Sequence, residues 1–103
     1  MRQESSDVIP AEHAVLAGHF PGNPVVPAVV ILDRVRSALD QWCGAAPITR
    51  ISHAKFVAVL RPEEKFKIRL RSHDLRKFVF ECEKEEDGVR FAYGEVLAES
   101  RHA

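Results

Sequence analysis

A chain of 103 residues has room for one domain, taken as residues 1–103. Its 15 Lys and Arg balance 15 Asp and Glu, which argues against a nucleic-acid binder driven by phosphate neutralisation. No apolar run approaches membrane-spanning length, and Met1–Asp7 lacks the apolar core of a signal peptide, so a cytoplasmic protein is expected.

With 46% hydrophobic residues a core is feasible but thin, and dimerisation would help complete it. Cys43 and Cys82 stand far apart without C-x-x-C spacing, and read as reduced structural thiols. His13, His53, His73 and His102 lack metal-ligand spacing with each other, so no metal is expected.

In chain order, Met1–Ser6 is polar and reads as a frayed end. Asp7-Val8-Ile9 begins a first strand that Pro10 stops. Ala11–Ala17 is either a helical turn or an extended lead-in, with His13 facing solvent. Gly18–Pro27 packs three prolines and two glycines around His19 and Asn23. Proline fixes φ and glycine permits unusual angles, so this run reads as a stiff loop.

Pro27 suits the first turn of a helix over about Ala28–Trp42. Its first half, Val29-Val30-Ile31-Leu32, is apolar on most sides, the pattern of a helix enclosed by a sheet. Asp33 interrupts it. Gly44 and Pro47 mark the stop.

Strands follow. Ile48–Val59 is extended, with Ile51, Phe56, Val57 and Val59 as expected core. Arg61-Pro62-Glu63-Glu64 is a turn. Lys65–Arg71 and Lys77–Glu83 alternate apolar and polar as half-buried strands do. Asp87-Gly88 signals a hairpin. Val89–Ala98 is the last strand, with Val89, Phe91, Tyr93 and Leu97 on one side. Tyr93, Trp42 and Cys82 read as core. The order of one helix and several antiparallel strands is α+β.

His19-Phe20-Pro21-Gly22, Pro24, Pro27 and Asp33 together resemble the active-site signature of the 3-hydroxyacyl-(acyl carrier protein) dehydratases of fatty-acid synthesis. That family's loop reads His-Phe-Pro-Gly-x-Pro-x-x-Pro-Gly before a helix bearing a catalytic Glu or Asp. Ala28 departs from it, replacing the last glycine. The resemblance implies a hotdog fold: a curved antiparallel sheet wrapped around the helix, dimerised by pairing two sheets. It also implies that the histidine and carboxylate of one site come from different protomers, with no cofactor or metal.

Dehydration needs a base at C2 and an acid at C3 of the acyl chain. By the resemblance, His19 is the base, since imidazole titrates near neutrality. Asp33 is the acid, or holds the water to be expelled; burial in the apolar first turns would favour its protonated form and let it donate. The backbone N–H of Ala28 would serve the thioester carbonyl oxygen. Phe20, Gly22, Pro24, Val26 and Pro27 would contact substrate, with plain packing as the other reading for Phe20 and Val26. The row Lys65, Lys67, Arg69 and Arg71 reads as a solvated strand face, with docking of an acidic acyl carrier protein as the other reading, shared by Arg34 and Arg36.

The expected activity is therefore dehydration of a 3-hydroxyacyl thioester to a trans-2-enoyl thioester. The expected assembly is a homodimer or higher homo-oligomer, with a heterodimer with a paralogue as its variant. Two other readings are a hotdog thioesterase, although the His-Phe-Pro-Gly loop is not its mark, and a catalytically inactive partner of an active dehydratase. Ala28 motivates the last.

Overall fold

Strict alternation builds the centre of the molecule. In a computed structural model, which describes residues 1–13, 24–72, 74 and 76–100, five strands and one helix follow in the order β1 (Arg2–Asp7), α1 (Ala28–Cys43), β2 (Ala45–Phe56), β3 (Phe66–Ser72), β4 (Lys77–Lys84) and β5 (Arg90–Ser100). The strands form one antiparallel sheet in the order β1-β3-β4-β5-β2. Period-two patterning sends Phe66, Ile68, Leu70, Phe78, Phe80 and Cys82 to the inner face, all buried. There α1 lays Val30, Ile31, Val35 and Leu39 against them. Trp42 meets Phe78 edge-on at 6.2 Å between ring centroids, and Phe66 meets Phe91 at 5.6 Å.

Gly44 ends the helix in the left-handed region at φ 68°, and its N–H bonds the Asp40 carbonyl at 2.9 Å. Pro27 is the N-cap, one position outside the helix, with extended backbone. Gly88, at φ 71°, turns the β4–β5 hairpin, as Asp87-Gly88 predicts.

Four expectations need correction. The polar Met1–Ser6 is no frayed end: Arg2–Asp7 is itself the first strand, paired along β3. Backbone bonds suffice for an edge strand, and Glu4 adds ion pairs to Arg69 at 2.8 Å and Lys67 at 3.8 Å. On the far side, Ile51, Phe56, Val57 and Val59 are exposed rather than core. β2 is the other edge strand, and among the described residues nothing covers this side. Phe91 and Tyr93 do not share a face. The register slips where Cys82 faces Ala92 but Glu83 faces Arg90. This bulge turns Phe91 inward beside Ala92. Tyr93 is therefore on the outer face, not in the core, under the Arg90 guanidinium at 4.0 Å. Finally, among the described residues α1 is covered on one side only, and Val29 is left 65% exposed.

β2 has irregularities of its own, between Ala45 and Ile48, Ile48 and Arg50, and Ile51 and His53. They reset its phase so that Ile48, Ile51 and Ala54 face α1, opposite Ala98, Val96 and Gly94. Arg50, His53 and Lys55 pair with Leu97, Glu95 and Tyr93 on the outer side.

Candidate active site

Helical geometry decides where Asp33 points. Val29, Asp33 and Arg36 lie at i, i+4 and i+7, one strip of the helix. Ile31, Val35 and Leu39 form the opposite strip and fill the core. The Asp33 side chain is therefore 63% exposed, not buried as the sequence suggests, and Arg36 Nε donates to its Oδ1 at 3.1 Å. The strip looks across to β2. Between them runs a groove of about 470 Å³ whose floor and walls are Val29, Leu32, Ile48 and Ile51, with Asp33, Arg36, Thr49 and Arg50 at its rim. A carboxylate thus stands at the lip of an apolar groove, beside an edge strand with one side unpaired among the described residues.

Ala28 is the first residue of α1, so its N–H has no acceptor within the helix and carries the partial positive charge of that end. Its backbone is not at positive φ and its methyl is exposed. No glycine is required for the chain to adopt this path. Pro24 is exposed, Pro27 half-buried, and Val26 buried. The Val26 N–H donates to the Leu60 carbonyl at 2.8 Å. Val26 also lines a second, smaller apolar groove, of about 340 Å³, with Val25, Ala28, Ile31, Phe56 and Val57. His19, Phe20 and Gly22 lie outside the described residues, as does most of the Ala11–Ala17 lead-in.

Half of the basic row, Lys67 and Arg69, is already neutralised. Lys67 and Arg69 pair with Glu4, and Arg69 also pairs with Glu83 at 2.7 Å. These bonds raise the Arg69 pKa, the Glu83 bond most, while the Arg69 bond pulls Glu4 below the usual carboxylate range. Arg34 ties α1 to β1 through Asp7 at 3.3 Å. Burial pushes the Cys82 thiol up to about 12, with Glu81 adding to it, so it is no nucleophile at neutral pH. Among the described residues no group of three or more His, Cys, Asp or Glu could hold a metal, and no helix is long and apolar enough to cross a membrane.

Two features escape the sequence reading: the Arg36 partnership of Asp33 and the groove wall from Ile48 and Ile51. The i, i+3 spacing of Asp33 and Arg36 carries a signal for the first. The second depends on the β2 irregularities, which have no local signature.

One helix held in the hollow of a five-stranded antiparallel sheet, with a carboxylate on its open face, defines a hotdog-fold protein. The chain belongs to the ApeI-like family, whose model, described as ApeI dehydratase, matches residues 2–95. It is similar to the 3-hydroxyacyl-(acyl-carrier-protein) dehydratase FabZ of Latilactobacillus sakei, 38% identical over 71 residues, covering 61% of this chain and 51% of that protein. It is also similar to the FabZ of Bartonella quintana, 33% identical over 96 residues, covering 79% of this chain and 59% of that protein. The chain thus spans a little over half the length of these relatives. Among solved structures, its fold matches a chain of the dehydratase heterocomplex ApeI:P from Xenorhabdus doucetiae, with TM-score 0.81 and 16% identity over 94% of this chain and 86% of that one.

Proposed function

We propose that this protein dehydrates a 3-hydroxyacyl thioester, carried on acyl carrier protein, to the trans-2-enoyl thioester, as one of two paired subunits. The observation that carries the reading is Asp33, exposed at the lip of an apolar groove along the free edge of β2. An acid that must work on an acyl chain needs a dry surrounding. A second copy laid along β2 supplies one, and brings its own His19 to the same groove.

In that assembly His19 takes the proton from C2 of the substrate. The electron pair becomes the C2–C3 double bond as the C3–O bond breaks. Asp33 gives its proton to the leaving hydroxyl, which departs as water. The thioester carbonyl oxygen carries negative charge during proton removal, and the Ala28 N–H at the helix N-terminus stabilises it. Phe20 and Val26 contact the acyl chain, and the loop backbone at Gly22, Pro24 and Pro27 shapes the entrance.

Complementation tests the shared site. His19→Ala and Asp33→Asn homodimers should each fail to release water from a 3-hydroxyacyl-carrier substrate. Mixed dimers of the two variants regain one intact site of two, and hence a measurable part of wild-type turnover. No recovery on mixing, with mixed dimers verified by mass, would sink the shared-site reading. Wild-type turnover by His19→Ala would sink the dehydratase reading itself. If the purified chain is active only with a paralogous hotdog chain, the pair is a heterodimer.

A further inference from the structure

The β2–β3 connection carries a backbone conformation its sequence does not favour. Arg61-Pro62-Glu63-Glu64 is a turn closed by the Glu64 N–H on the Arg61 carbonyl at 3.3 Å. Pro62 fixes φ at the second position, and Glu63, third, sits at φ 69°. That combination is a type II turn, whose third position calls for glycine. Glu63 is the one non-glycine residue with positive φ among the described residues. A side chain kept where glycine fits best asks what that side chain does.

Its contacts answer. The Glu63 N–H donates to the Ile9 carbonyl at 2.8 Å. Its Oε1 accepts the Ala11 N–H at 2.7 Å. Both bonds cross to the segment that leads toward the His19 run. Three residues before Glu63, the Leu60 carbonyl accepts the Val26 N–H at 2.8 Å, on the segment that leads out of that run into α1. The Glu64 carboxylate braces the turn from within, accepting the Arg61 N–H at 2.7 Å. Leu60 is itself fully packed into the core. One short platform, Leu60–Glu64, therefore holds the chain on both sides of the run that bears His19.

Resting on the reading of His19 as the base, we propose that Glu63 is a positioning residue for catalysis: its carboxylate clasps Ala11, and with the Leu60–Val26 bond this fixes the spacing of Ala11 and Val26, which lie on either side of His19 in the sequence. Reacting groups must be placed to within a fraction of an ångström, and a displacement near 1 Å costs about a hundredfold in rate. A clasp remote from the reacting atoms thus has leverage on turnover without touching substrate.

Glu63→Gly separates this role from a structural one. It removes the carboxylate and also relieves the positive φ. The variant should melt no lower than wild type, while its Ala11 amide exchanges with solvent about tenfold faster by NMR, and kcat falls about tenfold with KM changed less than about twofold. Glu63→Gln keeps the acceptor oxygen and should hold kcat within about twofold of wild type. Wild-type Ala11 exchange in Glu63→Gly overturns the clasp. Faster exchange with unchanged kcat overturns its positioning role. If wild-type protein releases no water either alone or with a paralogous hotdog chain, the dehydratase reading has failed, and Ala11 exchange alone then decides whether the clasp exists.

Discussion

Replacing Gly94 by alanine puts a methyl group into a gap that the sheet does not have. Gly94 sits in β5 with Ala54 of β2 on one side and Phe80 of β4 on the other. A Cβ built on it would lie 2.9 Å from the Ala54 Cα and 2.9 Å from Phe80 Cε1, and closer still to the His53 carbonyl oxygen. Carbon atoms at rest keep about 3.5–4.0 Å apart. Phe80 is fully buried and has no room to swing. Two of the three neighbours are backbone, so relief requires β2 to move away from β5. Overpacking of this kind costs about 3 kcal/mol at the upper end of its usual range. For a domain of this size that lowers Tm by about 12–24 °C. Thermal unfolding followed by circular dichroism measures it. Because β2 is also a wall of the Asp33 groove, any folded variant should lose turnover more than Tm alone explains. A Tm within about 3 °C of wild type would refute the packing argument, since it would mean β2 is free to give way.

Other consequences follow from the same structure. Leu39→Ala deletes a fully buried helix residue and should cost about 3 kcal/mol in urea unfolding, with Asp33 still exposed. Ser72→Ala removes a buried hydroxyl that donates to the Lys77 carbonyl at 3.0 Å and also contacts the Asp74 carbonyl; a loss of about 1–2 kcal/mol is expected. The Asp74 carboxyl is held below its usual range by the backbone N–H groups of Arg76 and Lys77. Its folded pKa is depressed, so its contribution to stability is present above the ordinary Asp range, about pH 4, and is lost as pH falls through the lower folded value. Asp74→Asn should accordingly be less stable than wild type at neutral pH, with the gap closing in acid. A thiol reagent at pH 8 should label Cys43, which is half-buried, and leave Cys82 untouched until the protein unfolds.

Much of the fold was written in local pattern. The alternation of Phe66–Ser72 and Lys77–Lys84, the Asp87-Gly88 turn and Gly44 mark their elements to within a residue or two. The His-Phe-Pro-Gly loop and Asp33 pointed to the family that the comparisons bear out. Position relative to other strands was not legible. Arg2–Asp7 is polar because it is an edge strand, and polar edge strands look like loose ends until their partner is known. Ile51, Phe56 and Val57 are apolar but exposed in the single chain. Their hydrophobicity gives no sign of whether one chain or two covers them. Asp33 faces outward because it lies on the helix strip opposite the core residues Ile31, Val35 and Leu39. The bulge at Phe91 reverses a face without a local signal, because register slips are set by the partner strand. Glu63 holds a glycine's place in its turn, and only the contacts to Ile9 and Ala11 explain why.

The central claim is a dehydratase whose acid is Asp33 and whose base is His19. It is tested most directly by incubating the purified protein with a 3-hydroxyacyl-carrier substrate and weighing the acyl product. Loss of one water by the wild type, absent in His19→Ala and in Asp33→Asn, is the predicted result. An unchanged mass with an intact dimer and a working control enzyme would contradict it, and so would water loss that persists in His19→Ala.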